Sequence, residues 1–422
     1  MTVTADVADA RTFEGVDLDA LATKIQTPFY AYSANAIRDR VTALQAAFAG
    51  LEHRICYAVK ANPNLAILQL MAQQGIGADI VSMGELHRCL RAGIPAERIV
   101  FSGVGKTEEE IHAALAAGVW RFNVESSDEL QLLQAVARVR GVCARAAARI
   151  NPDVDAQTHA KISTGKAENK FGVSIDEARG WFAKAATMPN VQLDGLHAHI
   201  GSQILSLEPF RAALRRVEAF RRELLDSGHA IRSIDIGGGL GVAYRAGLDR
   251  PVAVEDYAAL VRETFATFNG TLVLEPGRYL VGEAGLLLTR VIRVKPGTDR
   301  NFLVVDAAMN DLLRPSLYDA WHEIVPLHPE EGGTVRYDVV GPVCETGDTF
   351  ARDRAMPRCE AGDLLAIGGA GAYGASMGST YNSRPLIAEV LLDDGRYAVI
   401  RRRQTLAEMM AGEQLPQAWH ET

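Results

Sequence analysis

A lysine closes the apolar run Ile55-Cys56-Tyr57-Ala58-Val59-Lys60, and Asn62-Pro63-Asn64 ends it before a second apolar-periodic stretch, Leu65, Ile67, Leu68, Leu70 and Met71. The pattern predicts a buried strand, a turn and an amphipathic helix, with the amine at the strand's C-terminal end. A buried ammonium is costly unless it is paired or used. Burial can also lower an amine's pKa, which suits Schiff-base chemistry. Alone, the segment is slightly better explained by a lysine whose stem lies along the strand while its head reaches water. Other reactive side chains recur at the ends of further apolar runs: Asp79, Glu125, His197 and His199, the triplet Gly237-Gly238-Gly239, and Glu275 with Arg278. Glycines let backbone N–H groups close on an anion such as phosphate, although a triplet also serves a tight turn. Glu275-Pro-Gly-Arg278 sets an anion and a cation around a kinked turn, and an ion pair within the turn would use them equally well.

The elements that must position these groups form a series. After Ile55–Val59 come the runs 78–82, 98–103, 121–126, 146–151, 193–202, 233–239 and 271–278, most of them followed by an amphipathic stretch such as Glu108 to Ala117 or Pro209 to Ser227. Eight short strands alternating with helices predict parallel βα units closing into an eight-stranded TIM-like barrel, with an open doubly wound sheet as the alternative. In such a barrel, functional groups gather at the strands' C-terminal ends. Beyond Arg278 the texture changes to strands and turns: Leu286 to Val294, Phe302 to Asp306, Thr334 to Val340, Asp363 to Ile367 and Ile387 to Leu392. Tyr397 to Arg401 should pair with the last of these across Asp393-Asp394-Gly395. The fold expected is therefore an α/β barrel over 27–280 and an all-β domain, barrel or sandwich, over 281–422 joined by the polar segment 1–26. The polar loop from Asp155 to Asn169 is too long for a plain connection and is expected to be an active-site lid.

At 422 residues the chain suits two domains. A net charge of −8 argues against nucleic-acid or anionic-membrane binding. No apolar run approaches the roughly 20 residues that cross a bilayer, and the N-terminal residues lack the regions of a signal peptide. Five scattered cysteines with no CxxC spacing suit a reducing, cytoplasmic compartment.

A lysine, a phosphate cradle and a strand-end carboxylate at one barrel mouth describe a site for pyridoxal 5′-phosphate (PLP). The lysine forms the imine, the glycines hold the phosphate, and the carboxylate pairs with the pyridinium nitrogen. Longer motifs sharpen this: Tyr57-Ala-Val-Lys-Ala-Asn62, Phe101-Ser-Gly-Val-Gly-Lys106, Lys161 to Gly172, His199-Ile-Gly-Ser-Gln203, Glu275-Pro-Gly-Arg278, Arg314-Pro-Ser-Leu-Tyr-Asp319, Gly341-Pro-Val-Cys-Glu-Thr-Gly-Asp348 and Gly371-Ala-Tyr-Gly374. In this order they resemble the diaminopimelate decarboxylases, in the alanine-racemase-like group of PLP enzymes that also holds ornithine and arginine decarboxylases. Met83 and Gly369 depart from the residues expected there, at positions without a function in the family.

The resemblance implies a role for each matching residue. Lys60 is the Schiff-base lysine and His199 stacks on the cofactor ring. Ser202, Gly239, Gly277 and Arg278 contact the cofactor, with Glu275 at the pyridine nitrogen. Arg278, Arg314 and Tyr318 clamp the carboxylate at the substrate's distal end, Cys344 donates a proton and Glu345 reads the distal amine. Tyr373 serves both phosphate and substrate. Cys344 and Glu345 come from the partner subunit, which implies a homodimer, and the implied reaction converts meso-diaminopimelate to L-lysine and CO2.

Two other chemistries fit parts of the pattern. His197-Ala-His199 puts two imidazoles on one strand face, as in metal-dependent barrel hydrolases, but there such a pair ends the first strand rather than the sixth. Gly237-Gly-Gly-Leu-Gly241 looks like a dinucleotide-binding turn, but its third glycine would fall on Val242. No metal is expected. A non-catalytic homologue should have lost Lys60 or Cys344.

Overall fold

The structure, a computed structural model, describes residues 11–156, 158–159, 164, 170–298, 300–330, 332–416 and 419. The described residues divide into two compact units, one of those within 34–284 with Gly371–Ser376, the other of those within 11–33, 285–370 and 377–419.

The first unit is a closed barrel of eight parallel strands: β1 (His53–Ala58), β2 (Gly77–Ile80), β3 (Ile99–Phe101), β4 (Arg121–Val124), β5 (Ala144–Arg149), β6 (Val191–His197), β7 (Ser233–Asp235) and β8 (Thr271–Leu274). Closure comes from β8 beside β1, with Leu272 opposite His53 and Leu274 opposite Ile55. Each strand is short and largely buried, and most run almost directly into a capped helix. Asn64 accepts from Ala66 N–H at the start of Leu65–Gln73, Ser82 from Glu85 N–H before Met83–Arg91, and Ser126 from Glu129 N–H before Ser127–Arg140. Thr107 and Glu110 form a reciprocal box at the start of Glu108–Ala117. These caps end the strands cleanly, so the residues just before them sit at the barrel mouth. Helix Ala34–Ala47, which precedes β1, packs beside Val254–Thr264 and fills the ring after the last long helix.

The barrel floor holds a buried ion pair. Arg121, the first residue of β4, reaches Asp194 Oδ1 at 2.9 Å and lies over the Trp120 ring. Asp194 occupies a register shift where Ala146 pairs with Leu193 and Ala147 with Gly195. A Cβ on Gly195 would lie 1.9 Å from Arg121 Nη1, so glycine is what admits the guanidinium.

The second unit is a sheet built on the long strand Gly285–Pro296. Phe29–Ser33 and Leu364–Ile367 pair with its first half, and Asn301–Val305 with its second. Thr334–Val340 and Thr349–Pro357 extend it on one side, Ala388–Asp393 and Arg396–Arg401 on the other. The expected hairpin forms, with Asp394 and Gly395 both at positive φ.

Three differences from the sequence expectation stand out. Phe29–Ser33 belongs to this sheet and not to the barrel, because β1 and β8 already close the barrel and all five residues are buried between two sheet neighbours. Gly371–Ser376 returns to the barrel unit from within the second domain's span. The segment before Gln26 contains a helix, Leu18–Ile25, capped by Asp17. Of the expected lid, residues 157, 160–163 and 165–169 lie outside the described residues. Among the described residues no helix is long and apolar enough to cross a membrane.

Asp194→Ala leaves the Arg121 guanidinium buried without its counter-ion. That should destabilise the barrel by roughly 3–5 kcal/mol, a fall of roughly 10 °C in melting temperature by calorimetry; a shift below about 2 °C would show that the pair is dispensable.

Candidate active site

Residues from all eight strand ends converge at the mouth. Lys60 lies in the single 3-10 turn Val59–Ala61 that follows β1, and its Nζ is 2.6 Å from Asp79 Oδ2 on β2. Its side chain is 39% exposed, while Asp79 is fully buried beneath it. Burial by itself would lower the ammonium's pKa, but Asp79, Tyr373 and Glu275 outweigh it and hold Lys60 above the ordinary lysine range. This reverses the sequence expectation of a lowered amine. Asp79 is then the group placed to take the proton that Lys60 must lose before it can act as a nucleophile.

Glu275, after β8, is the centre of the network. Its Oε1 accepts from Ser102 Oγ at 3.2 Å and Asn123 Nδ2 at 3.1 Å, and its Oε2 lies 3.1 Å from His197 Nε2. Asn123 also donates to Asp235 Oδ2, whose other oxygen accepts from Gly237 N–H. Burial would raise both carboxyls, and they divide. His197 and Lys60 hold Glu275 well below the usual carboxylate range, while the neighbouring Glu275 charge pushes Asp235, already raised by burial, further up. One carboxylate of the pair is therefore an anion and the other carries the proton.

His199 faces the glycine triplet, its Nδ1 accepting from Gly238 N–H at 3.2 Å. Burial, reinforced by Arg149 and Lys60, pulls its pKa down to about 3, so it is a neutral ring at neutral pH. Among the described residues the metal-like grouping is His197, Asp235 and Glu275, not His199, so the two histidines of the motif serve different partners.

The triplet makes a close-approach cradle. Gly237 and Gly239 have φ of +66° and +107°, and a Cβ on Gly238 would sit 2.2 Å from the Glu275 carbonyl oxygen. Arg278 donates from Nε and Nη2 to Ser202 Oγ, bonds Tyr244 Oη, and lies 4.8 Å over the Tyr373 ring. Tyr373 is tied in by its N–H to Ala61 O at 2.8 Å, and a Cβ on Gly277 would lie 3.1 Å from the Cβ atoms of Ala58 and Ala61. Lys60, His199, Ser202, Gly239, Glu275, Gly277, Arg278 and Tyr373 thus come together in one unit.

The remaining sequence-predicted residues lie in the other unit on adjoining segments. The buried Arg314 opens the helix turn Arg314–Tyr318, and Ser316 Oγ donates to Gly347 O at 2.6 Å, joining that turn to the loop of Cys344 and Glu345. Cys344 and Glu345 are exposed. The Cys344 N–H donates to Asn382 Oδ1.

Ser102, Asn123, Arg149, Asp235 and Tyr244 take part in the site without having been singled out by the sequence. Asp235, immediately before a strand-end glycine triplet, was the one with a readable signal.

These groups fit a phosphorylated pyridine aldehyde: an amine, an anion for a ring nitrogen, a neutral imidazole face and a glycine cradle whose φ values exclude most side chains. Residues 34–282 match the family described as pyridoxal-dependent decarboxylase, pyridoxal binding domain. The chain is 48% identical to a diaminopimelate decarboxylase of Zymomonas mobilis, over 95% of this chain and 96% of that one. It is 49% identical to a diaminopimelate decarboxylase of Pseudomonas aeruginosa, over 96% and 98%. The crystal structure of the Helicobacter pylori diaminopimelate decarboxylase complexed with L-lysine superposes with a TM-score of 0.90 at 44% identity, covering 94% of this chain and 98% of that one.

The neutral state of His199 makes stability pH-dependent. Its folded pKa lies below the ordinary 6.5, so its contribution is complete above that value and is lost as pH falls from 6.5 toward 3. At pH 5 the loss is about 2 kcal/mol. His199→Phe should flatten the slope of apoprotein stability between pH 6.5 and 4.5 in denaturant titrations, and an unaltered slope would show that His199 is charged in the folded protein. With its anion, amine and cradle in place, and similarity running nearly end to end, this chain belongs to the diaminopimelate decarboxylases of the pyridoxal-dependent decarboxylase family.

Proposed function

We propose that the chain uses PLP to decarboxylate meso-diaminopimelate to L-lysine and CO2, the last step of lysine biosynthesis, as a cytoplasmic homodimer with shared active sites. The observation that carries the reading is the buried Glu275, held by Ser102, Asn123 and His197 at the mouth that also carries Lys60, His199 and the glycine triplet. When bound, the cofactor supplies the sink for the electron pair left behind as CO2 departs. Lys60 Nζ is the amine that would hold it. Glu275 would pair with the ring nitrogen, where a buried carboxylate favours a protonated, electron-poor ring. His199 would cover one ring face with an uncharged imidazole, and Ser202, Gly239, Gly277, Arg278 and Tyr373 would hold the phosphate end.

The substrate carries an amino acid at both ends, and the unreacted end must be fixed. Arg278, Arg314 and Tyr318 are assigned to its carboxylate, because a guanidinium fork matches two carboxylate oxygens. Glu345 reads the distal amine and Cys344 Sγ returns the proton to the reacting carbon. The Helicobacter pylori relative was crystallised with L-lysine, the product assigned here. Exposure of Cys344 and Glu345 in the single chain accords with their entering a partner's site, and the five unpaired cysteines accord with a reducing compartment.

Purified protein loaded with PLP should release L-lysine from meso-diaminopimelate and leave L-lysine itself almost untouched. Arg314→Leu should lower kcat/KM for meso-diaminopimelate by roughly tens- to thousands-fold while retaining cofactor absorbance. Comparable rates on L-lysine or L-ornithine, or an unaffected Arg314→Leu enzyme, would sink the assignment of the distal carboxylate.

Sharing of sites predicts complementation. Lys60→Ala and Cys344→Ala are each inactive, and mixing them under conditions of subunit exchange should restore up to roughly a quarter of wild-type activity, since half the dimers are mixed and each has one intact site. Exchange without recovery would mean that each chain completes its own site.

A further inference from the structure

Arg314 is only 5% exposed, at the start of its helix turn. A guanidinium has donors alone, so its plane can be fixed only by acceptors. One of these is an imidazole: Arg314 Nη1 lies 2.8 Å from His322 Nε2. The other ring nitrogen, Nδ1, lies 2.8 Å from the carbonyl oxygen of Gly368. A carbonyl only accepts and a guanidinium only donates. Nδ1 therefore carries the ring proton, and Nε2 offers Arg314 a lone pair.

His322 is itself braced. It is 1% exposed, and its carbonyl accepts from Arg354 Nη1 at 3.0 Å. The Arg354 guanidinium lies 3.5 Å over the Trp321 ring. Gly368 N–H donates to Glu323 O at 2.9 Å, and directly beyond, Ile324–Pro326 pairs with Leu364–Ile367. The imidazole is thus held to the sheet side through Nδ1 and through its own backbone carbonyl, which leaves Nε2 for Arg314.

We propose that His322 is a positioning residue that sets specificity for the distal carboxylate, by accepting from Arg314 Nη1 and fixing the plane of its guanidinium. This rests on the assignment of Arg314 to that carboxylate made above. Holding the fork in one plane removes freedom that the substrate would otherwise have to freeze on binding. The choice of imidazole has a reason. An aspartate in its place would orient the guanidinium but also neutralise it, whereas an uncharged acceptor leaves the charge for the substrate to meet.

His322→Leu removes the acceptor and His322→Gln keeps one, since the glutamine Oε1 can take the place of Nε2. KM for meso-diaminopimelate should rise roughly 10- to 100-fold in His322→Leu with kcat within about three-fold, and His322→Gln should return KM to within about five-fold of wild type. On an Arg314→Leu background, His322→Leu should add less than about two-fold, because the group it orients is gone. The inference is overturned if the two substitutions multiply fully or if His322→Gln is no better than His322→Leu. If instead Arg314→Leu leaves KM unmoved, it is the assignment of Arg314 that fails. Independently of how the variants fold, ¹⁵N-histidine spectra of the wild-type protein at neutral pH should show His322 protonated on Nδ1 alone, and a proton on Nε2 would overturn the proposal.

Discussion

A carboxylate that must stay ionised while buried sets the terms for the barrel mouth. Taking Glu275 out of water costs several kcal/mol unless donors and a counter-charge replace its hydration. The replacements come from different strands: Ser102 after β3, Asn123 on β4, His197 on β6, and Lys60 after β1. No local segment could supply them. They meet only when the barrel is closed with β8 against β1 in register, so the site and the closure of the fold are one requirement.

The same requirement explains why two carboxyls so close together differ. Asp235 and Glu275 cannot both ionise in a dry site, and the donors decide which of them does. Glu275 has His197 and the nearby ammonium, while Asp235 has an amide side chain and a backbone N–H. Its higher proton affinity lets Asp235 serve as the neutral neighbour that the anion needs. A related solution occurs in the second unit, where an uncharged imidazole, His322, is set against a buried guanidinium. In both places histidine supplies direction within a low-dielectric interior.

Much of this was legible because the barrel marks its own functional positions. An apolar run that ends in one polar residue before a capped helix names a strand end, and Lys60, Asp79, Glu125, His197 and Glu275 were all visible in that way. Ser102 and Asn123 were not, because a serine or an asparagine beside a turn has an ordinary explanation in the turn itself. The direction of the Lys60 pKa could not be read either, since it depends on charges that only barrel closure brings near. In the second unit, Thr334 to Val340 was plain from its alternation. Thr349–Pro357 was hidden by the polar run Arg352-Asp353-Arg354, which breaks the alternation at an irregularity where Asp353 has positive φ, although the strand still pairs from Thr349 to Pro357. Phe29–Ser33 reads as a buried strand from its composition, but nothing local says which sheet it joins, because its partners lie more than 250 positions downstream.

The return of Gly371–Ser376 to the barrel unit gives the chain an interlaced order of assembly. All eight barrel strands have been synthesised by Leu274, yet the segment that carries Tyr373 and caps Ala61 emerges about a hundred residues later. Phe29–Ser33, one of the first strands made, must meanwhile wait for Gly285 and beyond before it has a partner. Neither unit can be completed during translation before the other has begun, so the two are not modules that could be exchanged or truncated separately. The mouth of a nascent barrel therefore gains its last segment only after most strands of the second sheet have been made.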